Sequence, residues 1–310
     1  EWLGGKLADK LGKRAALSAS WLGAKALMAA IESQLAGPPG LYQWRGGALE
    51  AGDLCGAGDA RLRDWNEQPG LVFIHGTASH TLGSFGDLPG GQDWSTLRNS
   101  FGERIFGFEH RTFSESPIDN ALALAERLPA RARVSLVTHS RGGLVGDLLS
   151  LEVNAETRRL VDDYRRNPRP DEIERERQTP ELATLREQVA KAEREKLMAL
   201  LDLLASKALR VERYARVACP AGGTALLSDN LEVFLSGLLN LARRLGSWGA
   251  GALAGALATP LAGKAAANAA DQALKLLSRV VLEIADKRMQ PQVVPGIEAM
   301  LPEAPLGGFL

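Results

Sequence analysis

The chain has no net charge and very little cysteine, and each shortage argues against a class of function. Lysine plus arginine total 37 of the 310 residues, as do aspartate plus glutamate, so the charge balance predicts no nucleic-acid or polyanionic partner. The two cysteines, Cys55 and Cys219, lie outside any metal-ligand spacing. We therefore expect no metal or other cofactor. Two buried thiols in a reducing compartment are favoured, with a single disulfide as the alternative.

A leader sequence and a membrane-spanning run are also missing from the sequence. The N-terminus lacks the basic, apolar and small-residue regions of a signal peptide. The charge-free run 248–263 is shorter than the roughly 20 residues that cross a bilayer. The sequence thus predicts a cytoplasmic protein without a transmembrane span. Because the first residue is Glu1, we also expect a processed chain or part of a longer one.

Three short apolar segments of similar composition follow one another in the first half of the chain. They are GLVFIHG (70–76), IFGFEH (105–110) and RVSLVTHS (133–140), and stretches with helical periodicity separate them. Apolar strands without polar alternation are typical of a mostly parallel sheet with helices on both faces. RYARVACP (213–220) is a fourth candidate strand, and LYQWRGGALEAGDL (41–54) predicts a hairpin. The fold class indicated is α/β.

Helical segments flank and interrupt this core. The charged segment between the third and fourth strands predicts an exposed helical insertion, which is either a solvated strut or an arm that binds a protein partner. The predicted divisions are an N-terminal helical segment (1–40), the first part of the core (41–153), the charged insertion (154–210), a core strand and loop (211–228), and an Ala/Gly-rich helical cap with a C-terminal loop (229–310).

A serine stands at the corner between the third apolar segment and the helix after it. The sequence Thr138-His139-Ser140-Arg141-Gly142 is close to the G-x-S-x-G pattern of a nucleophile elbow. Such a turn needs small residues two places before and after the serine. Gly142 meets this requirement, whereas Thr138 departs from glycine. Ser140 is then predicted to stand above the sheet at a helix N-terminus, where developing negative charge is favoured. The alternative is an ordinary turn in which Ser140 only caps the helix.

The segments LVFIHGTASH and VSLVTHSRGGLVGDLL resemble the lipase and esterase branch of the α/β-hydrolases, over residues 68–153. The resemblance is weaker at 217–226 and at the C-terminus, and it extends to lipase-like domains of large bacterial multidomain proteins. It implies an α/β-hydrolase fold, with its last strands expected beyond residue 310. It also implies acyl-ester hydrolysis through a Ser140 acyl-enzyme. The main-chain N–H groups of Arg141 and Thr77 would hold the oxyanion, with Gly76 as the alternative to Thr77.

No histidine follows Ser140, although the order in hydrolases is serine, acid, histidine. Three explanations stay open. The acid and the histidine lie beyond Leu310, the fold is a degenerate hydrolase kept as a scaffold, or an earlier histidine has been recruited. His75 is the candidate for recruitment, though a histidine there usually holds the oxyanion loop. Asp229 is a candidate acid, with a helix cap as its alternative role.

Two functions are consistent with these observations. The first is a serine hydrolase of lipase or esterase type, for which a lipid ester is a candidate substrate because the predicted cap is apolar. The second is a catalytically inactive hydrolase-fold module that binds a protein partner through the helices of 154–210.

Overall fold

The computed structural model describes residues 32, 37–56, 58–168, 170–178, 181–219, 223, 295–300 and 304–310. Most of the predicted N-terminal helical segment and most of the predicted cap therefore lie outside the described residues. The candidate acid Asp229 and the charge-free run 248–263 lie outside them as well.

A mixed five-stranded sheet forms the centre of the fold. Its strands are β1 (Gly40–Gln43), β2 (Gly70–Ile74), β3 (Ile105–Glu109), β4 (Arg133–His139) and β5 (Arg210–Val217). They lie in the order β1-β3-β2-β4-β5, with β1 antiparallel to β3 and all other pairs parallel. Strands β2 and β3 are buried along their whole length, which explains their continuous apolar sequences. The α/β class predicted from the sequence is confirmed.

Helices connect the parallel strands and cover the sheet. Those between β2 and β5 are α1 (Thr81–Phe85), α2 (Gln92–Phe101), α3 (Pro117–Arg127), α4 (Gly142–Leu149), α5 (Ala155–Asp163), α6 (Pro170–Gln178) and α7 (Glu181–Lys207). Two short helices, α8 (Pro295–Glu298) and α9 (Pro305–Phe309), follow at the C-terminal end, and there are 3-10 helices at Ala51–Asp53, Ala60–Asn66 and Leu88–Gly90. Within the described ranges, no helix combines the length and the apolarity needed to cross a bilayer.

Both faces of the sheet are packed, as the alternation along β2 shows. Val72 and Ile74 belong to the larger hydrophobic core, together with residues of α3 and α4. Leu71 and Phe73 belong to a second core, which includes Phe85 of α1. Successive side chains of a strand point to opposite faces, so alternate residues of β2 pack into the two cores on opposite faces of the sheet.

The hairpin predicted for 41–54 is reduced to a single antiparallel bridge between Tyr42 and Leu54. Strand β1 pairs instead with β3, from Gly40 opposite Glu109 to Gln43 opposite Phe106. This pairing places β1 at the edge of the main sheet and buries Leu41 completely. A hairpin closed on itself would not bury this residue against the helices.

The long helix predicted after Pro180 is α7, and its second half is part of the core. Leu197, Leu200 and Leu201 are fully buried and lie in the same cluster as Leu124 of α3. The first half exposes residues such as Glu187. The expectation of an exposed helix therefore describes only the first half of α7.

Burial of the second half of α7 leads to a stability prediction. We expect Leu200→Ala to lower the free energy of unfolding by about 2–5 kcal/mol, because a large fully buried side chain leaves a cavity. Leu160→Ala is the control, since Leu160 on α5 is 50% exposed. It should change the free energy of unfolding by no more than about 0.5 kcal/mol. Urea denaturation measures both, and equal small effects would contradict the packing of α7 on the core.

Candidate functional site

Ser140 occupies a strained position in the turn between β4 and α4. Its φ is +52°, in the left-handed region that residues other than glycine rarely adopt. The Ser140 N–H donates to the carbonyl of Val217 at the end of β5 (2.9 Å), and the Gly143 N–H donates to the Ser140 carbonyl (2.9 Å). The side chain of Ser140 is half-buried. The backbone is thus fixed on both sides of the serine, at the carboxyl edge of the sheet.

Close contact between the end of β2 and this turn requires glycine on both sides. A Cβ atom on Gly142 would lie 2.4 Å from the carbonyl oxygen of Ile74 and 2.7 Å from that of His75. A Cβ atom on Gly76 would lie 2.8 Å from the Cβ of Ser140. Real Cβ atoms do not approach other atoms so closely, so the two glycines allow β2 to end directly against the serine turn.

Thr138, which stands where the pattern has glycine, is accommodated on the side of β5. It is fully buried, and its Oγ1 lies 3.4 Å from the carbonyl oxygen of Ala215 and 3.2 Å from the Sγ of Cys219. Cys219 and Cys55 are both free thiols, and Cys55 is buried while Cys219 is half-buried. The expectation of two thiols rather than a disulfide is therefore confirmed, although Cys219 is less buried than expected.

The two predicted oxyanion donors flank Ser140. Arg141 is the next residue along the chain, and Thr77 follows Gly76, which packs against Ser140. Beyond them, the Ala78 N–H donates to Thr112 Oγ1 (3.1 Å), and Ala78 has a φ of +53°. The hydrogen bonds found among the described residues include none from the main-chain N–H of Arg141 or Thr77.

The side chain of Arg141 is fully buried, a feature that the sequence analysis did not foresee. Its Nε donates to the carbonyl of Gly296 (2.9 Å), Nη1 to Asn120 Oδ1 (2.9 Å) and Nη2 to the carbonyl of Glu115 (2.7 Å). Burial lowers the pKa of Arg141 to about 10, against the opposing effect of the nearby carboxylates, of which Glu32 has the largest effect. A cation therefore lies directly behind the serine turn.

Glu32 is a second residue that sequence reasoning missed. Its carboxylate accepts hydrogen bonds from the N–H groups of Thr112 (2.5 Å), Phe113 (2.7 Å) and Ser114 (2.9 Å), and from the hydroxyls of Thr112 and Ser114. It is 4% exposed. Nothing in the sequence around Glu32 distinguishes it from the other charged residues there, since its partners lie about eighty positions away.

His75, the candidate for a recruited base, has both ring nitrogens engaged. Nδ1 donates to the carbonyl of Gly76 (2.9 Å), and Nε2 accepts from the His110 N–H (3.3 Å). The ring is fully buried and stacks on that of His110 with centroids 4.0 Å apart. Burial lowers the pKa of His75, which favours the neutral ring. This geometry fits the structural role considered for His75, holding the end of β2, and leaves no free nitrogen for Ser140.

The other three histidines also have partners other than Ser140. His80 caps α1 by accepting from the Gly83 N–H (3.2 Å), and Nδ1 of His110 lies 3.3 Å from the carbonyl oxygen of Phe108. Nδ1 of His139 lies 3.4 Å from Ser84 Oγ. All four histidines of the chain are in its described part, and none is found hydrogen-bonded to Ser140. The described residues also contain no group of three or more His, Cys, Asp or Glu side chains arranged to hold a metal ion.

Comparison with known proteins identifies one family match. Residues 52–162 match a domain of unknown function (DUF7379), a stretch that covers less than half of the chain and includes β2, β3, β4, α4 and the serine turn. No curated protein and no solved structure matches the chain.

The packing behind Ser140 can be tested with glycine substitutions. Gly142→Ala should lower the free energy of unfolding by about 1–3 kcal/mol, because the new methyl group overlaps two fixed main-chain carbonyls. Gly47→Ala is the matched control, since a Cβ there meets nothing within 4 Å. It should change stability by less than about 1 kcal/mol. Similar thermal unfolding midpoints for both variants would contradict the close approach of β2 to the turn.

A second prediction concerns the buried His110. Burial holds the pKa of His110 well below its usual value, so the unfolded chain binds a proton below about pH 6.5 that the folded chain does not. The contribution of neutral His110 to the free energy of unfolding is therefore fully present above that pH and decreases as the pH falls below it. Between pH 7.5 and 5.5, His110→Phe should lose less unfolding free energy than the wild type, by up to about 1.4 kcal/mol per pH unit.

Urea titrations at each pH give this difference. His80→Asn is the control because His80 is exposed and asparagine keeps a helix-capping side chain. Identical pH dependence in wild type and His110→Phe would show that His110 is not held neutral by the fold.

Proposed function

We propose that the protein is a serine hydrolase of lipase or esterase type with Ser140 as its nucleophile. The observation that carries the proposal is the turn itself: Ser140 has a φ of +52°, Gly76 packs closely against Ser140, and Gly142 packs closely against the end of β2. Backbone strain at a single non-glycine residue costs of order 1–3 kcal/mol and tends to occur at functional sites. An ordinary helix cap has an extended backbone and would not require it.

The sheet topology is consistent with the proposal. Ser140 follows β4, which has parallel neighbours on both sides, and α4 begins two residues later. In α/β-hydrolases the nucleophile occupies such a strand-to-helix turn, and the second oxyanion donor comes from the loop after a neighbouring strand. Here that neighbour is β2, whose end carries Gly76 and Thr77. The α/β-hydrolase fold is therefore the specific form of α/β fold that we propose.

In the proposed reaction, Ser140 Oγ attacks the carbonyl carbon of an acyl ester as its proton passes to a general base. The main-chain N–H of Arg141 and that of Thr77, or of Gly76, hold the resulting oxyanion. The tetrahedral intermediate collapses to the acyl-enzyme as the alcohol takes up the proton, and water then releases the acid. None of the four histidines, all of which lie in the described part of the chain, is found hydrogen-bonded to Ser140, so we propose a general base that is a histidine outside these 310 residues. A lipid ester is the candidate substrate.

The engagement of the histidines favours a second function, a catalytically inactive module that binds a protein partner. The first half of α7, together with α5 and α6, offers charged side chains to solvent, such as Arg177 on α6 and Lys191 on α7. In this reading the serine turn is an inherited feature of the fold, and the helical insertion makes the contact.

A fluorophosphonate probe distinguishes the two functions, because it reacts only with activated serines. We expect labelling of the longest natural form of the protein and its complete loss in Ser140→Ala. Ser95→Ala is the matched control: Ser95 lies on α2, is exposed and bonds only to the carbonyl of Gln92, so its variant should label like the wild type.

Labelled protein that is digested and sequenced by mass spectrometry should carry the probe on Ser140. A folded protein that shows no labelling would exclude the hydrolase and favour the interaction module. Labelling that persists in Ser140→Ala would show that a residue other than Ser140 reacts with the probe.

A further inference from the structure

The C-terminal brace, which we define as residues 295–300, contacts both of the residues proposed to hold the oxyanion. The carbonyl of Gly296 accepts from Arg141 Nε (2.9 Å), and Met300 Sδ accepts from Thr77 Oγ1 (3.2 Å). Thr77 and Arg141 belong to different strand ends, so a single short segment joins the two sides of the proposed oxyanion hole.

The brace is seated closely on the loop after β3. The Gly296 N–H donates to the carbonyl of Phe113 (3.3 Å), and a Cβ atom at Gly296 would lie 1.9 Å from the carbonyl oxygen of Thr112. Only glycine allows this approach. The same Thr112 accepts the Ala78 N–H through its Oγ1, so the loop that seats the brace also holds the residue after Thr77.

The guanidinium of Arg141 connects these parts. Its three hydrogen-bond acceptors, on Gly296, Asn120 and Glu115, are uncharged and come from the brace, from α3 and from the loop before α3. Fully burying a cation against neutral acceptors contributes little to stability compared with an apolar side chain of the same size. The buried guanidinium instead fixes the relative positions of its partners, because its planar set of N–H donors can bond to all of them in only one arrangement.

We propose that the Arg141 side chain is a positioning residue, which acts through the C-terminal brace to fix the main-chain N–H groups of Arg141 and Thr77 relative to each other. This inference rests on the proposed hydrolase function for its catalytic consequence. Electrostatic stabilisation of an oxyanion depends on donors at about 2.7–3.1 Å from its position. If the residues that hold these donors allow them to shift by about 1 Å, much of the reaction rate is lost.

The test compares Arg141→Lys and Arg141→Gln with Arg133→Gln, a surface control whose side chain pairs with the exposed Glu212. Saturation kinetics with the fluorophosphonate probe, whose phosphorus bonds to Ser140 Oγ as fluoride leaves, separate probe binding from the phosphonylation of Ser140. We expect the phosphonylation rate constant to fall by about tenfold or more in both Arg141 variants, with less than a twofold change in probe binding. Arg133→Gln should behave as the wild type.

Hydrogen exchange in a Ser140→Ala background supplies a readout that does not depend on activity. Each Arg141 variant should accelerate amide exchange at 76–78 as well as at 296–300, although no atom of the Arg141 side chain is found hydrogen-bonded to residues 76–78 in the described structure. Met300→Leu, which removes the sulfur acceptor but keeps an apolar side chain of similar size, should accelerate exchange at 76–78 from the other end of the brace. It serves as the test if the Arg141 variants fail to fold.

The outcomes separate the two proposals. Unchanged exchange at 76–78 in folded Arg141 or Met300 variants would overturn the positioning role. An unchanged phosphonylation rate in the Arg141 variants would do the same while leaving the hydrolase in place. If wild-type Ser140 is never labelled but exchange at 76–78 responds, the hydrolase fails and the mechanical link through the brace stands.

Discussion

The contact between the end of β2 and the turn after β4 is the constraint on which the rest of the site depends. Gly76 and Gly142 bring two main chains to a distance that no Cβ atom would permit, and the serine between them takes a left-handed backbone conformation. Strands β2 and β4 pair in parallel, from Gly70 opposite Val134 to Ile74 opposite Thr138. Both strands therefore end side by side at the same edge of the sheet. Without this pairing, the segment around Gly76 would not meet the turn around Ser140.

Buried charge organises the region behind that contact. The carboxylate of Glu32 accepts hydrogen bonds from N–H groups of the loop after β3, and the guanidinium of Arg141 donates to carbonyl oxygens of three segments. The brace is also tied to the helical insertion, because Arg165, after α5, contacts both Glu193 of α7 (2.5 Å) and Glu298 of α8 (2.8 Å). Loss of one member of such a network leaves the others buried without partners, which costs several kcal/mol. Elements distant in sequence are thereby held together around the serine turn.

Local patterns were sufficient to predict much of the sheet and the turn. The apolar segments at 70–76, 105–110 and 133–140 correspond to β2, β3 and β4. The β2 and β3 sequences are continuously apolar because these strands are buried along their whole length. The fourth candidate corresponds to β5, which begins three residues earlier than expected, at Arg210. The segment 41–54 was harder to interpret, because a glycine pair indicates a turn but does not say which strand will pair with β1.

The sequence by itself determined the α/β class, the place of Ser140 at a strand–helix corner and the residues beside it, because apolar periodicity and glycine spacing are local properties of the chain. Tertiary structure alone decided what surrounds that serine: the engagement of all four histidines, the burial of Arg141 and the reach of Glu32 to residues eighty positions away. A hydrogen bond requires positioning within a few tenths of an ångström. Such positions follow from how whole elements pack, and sequence spacing carries no record of them.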